Sequence, residues 1–211
     1  MVVFPVDPAV LLPFLAAVVL MEITPGPNMS WLALVSLSQG RRAGLAAVVG
    51  ITLGLSIWMI AAAFGLTKVI LHWPALYHSI RWAGVGFLLY LAWDAWRSNQ
   101  GAAQGVPPVA RQRQLFRRGL IGNLLNPKAA LLYVVLLPGF MRAGYGSPLS
   151  QALLLGSLHV LVSVAVHSII VLSASRAGGS FLTRHQGPVT RALMSLSLVA
   201  IAIWTAWQTR L

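Results

Sequence analysis

The chain has 211 residues, of which 58% are hydrophobic before glycine is counted and only 9% are charged, against roughly a quarter charged in soluble domains. Asp7, Glu22 and Asp94 are the 3 acidic residues against 15 Lys and Arg, a formal charge of +12. So few charges cannot cover the surface of a soluble fold of this size, which excludes an ordinary cytosolic enzyme. The Arg residues stand between long apolar runs and form no continuous stripe, so nucleic acid is not the expected partner. With Cys absent, disulfide scaffolds, thiolate metal sites and cysteine nucleophiles are excluded. The composition predicts an all-α integral membrane protein whose partner is the lipid bilayer.

Crossing a hydrocarbon core of about 30 Å takes about 20 apolar residues. Residues 1–8 carry no basic segment, so the first apolar run is expected to be a retained span and not a cleaved signal peptide. That run lies between Asp7 and Arg41, with Glu22 its only charge. A second, Ala43 to Thr67, has no charge at all. The third, about Leu76 to Trp96, contains Arg81 and Asp94. A fourth, Gly119 to about Phe140, contains Lys128. The fifth, Ser147 to Ser175, is free of charge, and the sixth is Ala192 to Thr209. Six transmembrane helices are therefore expected.

The basic residues sort onto two sides. One side collects Arg41, Arg42, Arg97, Arg111, Arg113, Arg117, Arg118, Arg176, Arg184 and Arg191; the other has Lys68, Arg81, Arg142 and Arg210. The richer side is expected to be cytoplasmic, which puts both termini outside. Trp73, Tyr77, Trp82, Tyr145, Trp204 and Trp207 fall at the outer interface and Trp93 and Trp96 at the inner one, as aromatic belts do. Residues 98–114 are rich in Gly, Pro and Gln and read as a cytoplasmic linker between two repeats, residues 1–97 and 115–211. Three spans per half force opposite orientations, the inverted-repeat plan of many secondary transporters.

The first and fourth helices carry breakers. Thr24-Pro25-Gly26-Pro27-Asn28 removes two backbone donors and lets the chain turn. Asn126-Pro127-Lys128 places an N-cap and an N1 proline where a helix would start inside the membrane. Pro27 precedes Arg41 by 14 residues and Pro127 precedes Arg142 by 15, so each lies roughly 21 Å of helix from its exit surface and the breaks overlap in depth. Helix starts at that depth expose N–H groups that lipid cannot satisfy, and such backbone persists only against protein or a watery cavity. Two kinks satisfied by neighbouring helices are the bland account; matched kinks in opposed halves point to a binding site.

Glu22 sits near mid-depth, one turn before the first break. It is a candidate for carrying a proton, for holding a substrate ammonium, or for a buried ion pair with Lys128. Lys128 starts the second half-helix, where a cation is disfavoured; Glu22, a carbonyl or an anionic substrate would offset that, unless the side chain snorkels to the interface. Asp94 is three residues before Arg97, which suits a local ion pair. His159 and His167 lie in the fifth span as proton relays or packed histidines. Eight residues are about 12 Å of helix rise, too far for one metal ion, so neither a metal nor a cofactor is expected. The Gly50–Gly54 spacing serves a close helix contact within the bundle or in a homodimer equally well.

These motifs resemble the LysE-type family of lysine, threonine and homoserine exporters over most of the chain. The resemblance rests on Thr24-Pro25-Gly26-Pro27-Asn28, Ser38-Gln39-Gly40-Arg41-Arg42-Ala43-Gly44, Gly50 with Gly54, Leu89-Tyr90-Leu91-Ala92-Trp93, Phe116-Arg117-Arg118-Gly119 and Asn123-Leu124-Leu125-Asn126-Pro127-Lys128-Ala129. It implies an inner-membrane exporter of amino acids or similar metabolites driven by the proton-motive force. Three positions depart from the family pattern. Trp58 stands where many members have His, Ser163 where many have Asp, and Glu22 where the family is mostly apolar.

The expected function is export of a small zwitterion, its carboxylate near Asn28 and Lys128 and its ammonium near Glu22 or the carbonyls that the prolines free. A cation or metal exporter is the alternative and needs several ligands at one depth. A membrane-embedded enzyme is less favoured, since no HExxH, GxSxG or phosphate-binding GxxxxGK[ST] motif is present. The basic-residue bias makes a direct prediction: a reporter fused at Gln104 reads cytoplasmic and one fused after Leu211 reads external. The same reading at both sites would break the inverted-repeat plan.

Overall fold

Helix boundaries in this chain are written by proline. In the computed structural model, which describes residues 4–66, 70, 72–97, 108–178 and 188–208, seven helical elements start at a proline, where a missing N–H costs nothing. Asp7 caps α1 (Pro8–Ile23) by accepting from Ala9 N at 3.0 Å. The helix α2 (Pro27–Gln39) follows the first break. Gly40 ends α2 with φ 80°, a left-handed value that favours glycine, and α3 (Arg41–Ala63) starts at once. Beyond it come α4 (Pro74–Arg97) and α5 (Pro108–Leu124). The element α6 (Pro127–Gly139) runs from the α-helical Pro127–Leu131 through a π-helical turn, Leu132–Leu136, to Leu137–Gly139. The last two are α7 (Pro148–Gly178) and α8 (Pro188–Gln208).

Two helices, α3 and α7, are long and apolar enough to cross a membrane as they stand. Two bent pairs pass the same test together: α1 with α2, at 54°, and α5 with α6, at 48°. Among the described residues there are thus two to four apolar spans. Polar residues explain why α4 ranks lower, since it carries His78, Arg81 and Asp94. Arg81 is nonetheless buried; it donates to the Ala206 carbonyl on α8 and lies 5.0 Å over the Trp82 ring. The expected linker, residues 98–114, falls partly outside the described residues, and from Pro108 onward it is helical as the start of α5.

Large apolar side chains cover the outside of the bundle as well as filling its core. Leu12, Phe64, Trp73, Trp82, Trp93, Trp96, Leu193 and Trp207 face outward, while Ser36, Asn123, Gln151, His159, Ser163 and His167 are buried. Such a surface suits lipid, in which only satisfied backbone is tolerated. Tyr77 departs from the expected belt: it is buried, and its hydroxyl has no hydrogen-bond partner among the described residues. Gln151 organises the turn after α6, accepting from Arg142 N at 2.9 Å and donating to the carbonyls of Arg142 and Gly146 at 2.8 Å each. There the nearby Asp7 carboxylate raises the Tyr145 phenol above the usual range.

Between lipid-embedded helices, close packing replaces the hydrophobic effect as the source of affinity. The α3–α5 contact shows how. A methyl on Gly50 would strike the Phe116 carbonyl, one on Gly119 would strike the Ala47 carbonyl, and one on Gly54 would sit 2.8 Å from Asn123 Oδ1. The Gly50–Gly54 pair therefore works inside the bundle, where it draws two backbones together. Overpacking such a contact costs about 1–3 kcal/mol. Gly50→Ala should lower the unfolding midpoint in detergent, whereas Gly86→Ala, with open space around it, should not; equal behaviour would contradict this packing.

Candidate functional site

Pro25 and Pro27 lack the N–H groups that would bond Met21 O and Ile23 O, so α1 stops at Ile23 and leaves carbonyls free. Gly26 is extended, with φ −159° and ψ 172°, a conformation open to any residue. The turn does not need glycine for its backbone, contrary to the sequence expectation. What Gly26 supplies is space: a Cβ there would lie 3.4 Å from Lys128 Cδ and 3.5 Å from Lys128 Nζ. No side chain caps α2, so its first N–H groups, near Asn28 and Met29, are open to the interior.

The second break faces the first. Asn126 Oδ1 accepts from Lys128 N at 3.0 Å and caps α6. Lys128 Nζ then donates to the Thr24 carbonyl at 2.7 Å. The two interruptions are thereby tied across 104 residues of sequence. Lys128 neither snorkels away nor pairs with Glu22; the Thr24 carbonyl, left open where α1 ends, holds its charge.

Glu22 has different partners. On α7, His159, Ser163 and His167 are spaced four apart and share one face. His159 Nε2 is 3.0 Å from Glu22 Oε1. Ser163 Oγ donates to Glu22 Oε2 at 3.2 Å and lies 3.0 Å from His167 Nδ1. His167 Nε2 stands 3.7 Å from the same Oε2. His159 Nδ1 is 2.9 Å from the Tyr133 hydroxyl on α6. An ionised carboxylate in a span costs about 2.5–3.5 kcal/mol on insertion scales. Hydrogen bonds to a charged group return about 1.5–3 kcal/mol each. The bonds from His159 and Ser163 therefore suffice to hold Glu22.

A small cavity lies between these groups. Glu22, Asn28, Asn126, Lys128, His159 and Ser163 border it. Its apolar wall comes from Met21, Met29, Leu55 and Leu132. Asn123 also lines it, 1% exposed, with Oδ1 unpartnered among the described residues. Pro25, Pro27 and Pro127 border a neighbouring cavity of about 680 Å³ that shares Met21, Asn126 and Lys128 with the first. Trp58 lies outside both; it is buried and its Nε1 has no partner. Among the described residues, no group of three His, Asp or Glu is arranged to hold a metal ion.

Sequence reasoning missed Tyr133 and Asn123. Tyr133 lies in the π-helical turn, whose widened register accommodates Pro138, a residue that cannot bond back to Val134. Pro138 was the available signal.

The chain matches the LysE type translocator family over residues 19–208. It belongs to that family. Among curated relatives of this translocator, an uncharacterised membrane protein of Pseudomonas aeruginosa is 28% identical over 180 residues, covering 82% of this chain and 83% of its own. An uncharacterised membrane protein of Bacillus subtilis is 28% identical over 164 residues, or 73% of this chain and 78% of its own. A leucine efflux protein of Enterobacter sp. (strain 638) is 28% identical over 168 residues, or 77% and 76%. No solved structure matches the chain.

The departures from the LysE-type pattern now have a spatial relation. Ser163 stands where many members have Asp, and the Glu22 carboxylate reaches that very position from α1. The acid is supplied by a different helix. Asp94 also differs from its local reading: it meets Arg118 Nη2 on α5 at 2.6 Å, while Arg97 lies 4.7 Å over the Trp93 ring. A double-mutant cycle of Asp94→Asn and Arg118→Gln should give a coupling of about 0.5–1 kcal/mol in this translocator's unfolding free energy. Strict additivity would show that the pair contributes nothing.

Proposed function

We propose that the protein is a secondary exporter that moves amino acids or related small zwitterions out of the cytoplasm in exchange for protons. The carrying observation is the convergence of both helix breaks and the Glu22 cluster on one cavity. Membership of the LysE-type family and the leucine efflux relatives support amino-acid export and favour a transporter over an enzyme. In this reading the chain forms six spans as two inverted three-helix repeats joined by residues 98–114. It lies in a bacterial-type inner membrane with both termini outside.

The substrate carboxylate faces the open N-terminus of α2 at Asn28 and the Lys128 ammonium, where helix dipole and charge both favour an anion. The Asn123 amide offers a further hydrogen bond. Met21, Met29, Leu55 and Leu132 favour an apolar side chain. The substrate ammonium competes with the coupling proton for the Glu22 carboxylate, and that competition enforces antiport. A metal exporter fits less well, because Glu22, His159 and His167 spend polar atoms on one another and on Ser163 and Tyr133.

Glu22→Gln tests the reading in vesicles with protein amount matched. The amide keeps the shape and removes the charge, so proton-driven leucine efflux should fall at least tenfold while the protein stays folded. Leucine exchange, which needs no net proton movement, separates two roles: its persistence assigns Glu22 to the proton, and its loss assigns it to the ammonium. Wild-type efflux in Glu22→Gln would remove Glu22 from the mechanism.

A further inference from the structure

With the Glu22 carboxylate ionised, both histidine rings neutral and Ser163 donating to Oε2, the hydrogen bonds around Glu22 take one set of directions. An ionised carboxylate only accepts. His159 Nε2, 3.0 Å from Oε1, must therefore carry its proton, and Nδ1 of the neutral ring then accepts from the Tyr133 hydroxyl at 2.9 Å. His159 is complete as a neutral imidazole. Ser163 commits its single proton to Oε2. Its oxygen must then accept from His167 Nδ1 at 3.0 Å, which fixes His167 as the Nδ1–H tautomer. A neutral His167 in that form has a bare lone pair on Nε2, and this atom faces Oε2 across 3.7 Å. Two acceptors confront each other there, wider apart than a hydrogen bond.

We infer that the His167 Nε2–Glu22 Oε2 gap is the proton-binding site of this transporter, and that His159, Ser163 and Tyr133 position it. The inference rests on the antiport reading above and says where its proton sits. Loading forms one N–H bond from the Nε2 lone pair to a proton delivered by water, and the gap closes to an imidazolium–carboxylate hydrogen bond. Release returns the proton to water and reopens the gap. His167 is 4% exposed and Ser163 fully buried, so neither lies open to bulk water.

The charged and titratable groups around the gap are few. Glu22 faces it from α1, Lys128 and Tyr133 come from α6, and His159 shares its helix. The cavity residues from α2, α3 and α5 are Asn28, Met29, Leu55 and Asn123, none of which titrates. Lys128 disfavours a second positive charge, but Glu22 is closer and opposite in sign, since Lys128 is bound to Thr24.

The test uses the full chain in proteoliposomes with radiolabelled leucine. His167→Gln keeps an amide able to bond Ser163 but cannot bind a proton. It should abolish leucine movement driven by a pH gradient, by at least tenfold, and keep leucine exchange within about twofold. Gradient-driven transport in His167→Gln at the wild-type rate would overturn the assignment while leaving proton antiport standing. A wild type indifferent to the gradient would overturn the antiport reading and the assignment with it. Should His167→Gln not fold, nitrogen-15 spectra of the histidine-labelled wild type carry the test. His167 should appear as the Nδ1–H tautomer and become doubly protonated on acidification. An Nε2–H tautomer at His167 would refute the site.

Discussion

One carboxylate governs the interior of this molecule. Glu22 lies where α1 gives out, and an ionised acid at that depth is tolerated only with several donors in place. Those donors come from α7, which is tied by its own sequence to nothing near residue 22. The need to satisfy Glu22 thus fixes α1 against α7, and through Tyr133 it reaches α6 as well. Lys128 adds the complementary tie from α6 back to the first break. The two charges are separated instead of neutralising each other. Each keeps a functional face toward the shared cavity, which a direct ion pair would have closed.

The bundle around this core is held by contact and not by exclusion of water. Glycines admit backbone against backbone between α3 and α5, and again where a methyl on Gly84 would strike the Leu125 carbonyl and one on Gly178 the Leu37 carbonyl. Dispersion gains of this kind are individually small but numerous. The arrangement leaves large apolar side chains facing outward, while the hydrogen-bonding residues gather within. A chain so composed has its fold and its cavity set by the same rule: polar groups must find one another, because lipid offers nothing.

What could be read in the sequence follows from how local each signal is. The breaks at Pro25, Pro27 and Pro127 are local steric facts, as is the cap from Asn126, and they can be located without a structure. So can the apolar runs that became α3 and α7. Partnership cannot. Glu22 and His159 are separated by 137 residues, and nothing near Glu22 distinguishes a histidine on α7 from a lysine on α6 as its neighbour. Asp94 shows the same limit, with Arg97 near in sequence and Arg118 reached in space. Gly26 was legible as a breaker but not as a residue that makes room for Lys128. Residues 108–114 read as linker by composition, yet they are helical because Pro108 starts a helix whose remaining residues pack on α3.

The account makes substrate and proton rivals for one carboxylate, so binding of one must expel the other. Calorimetric titration of the detergent-solubilised protein with leucine, repeated in buffers of different ionisation enthalpy at one pH, measures this directly. The account predicts a binding heat that changes with the buffer in the sense of proton release. Leucine binding with a heat independent of buffer would contradict it.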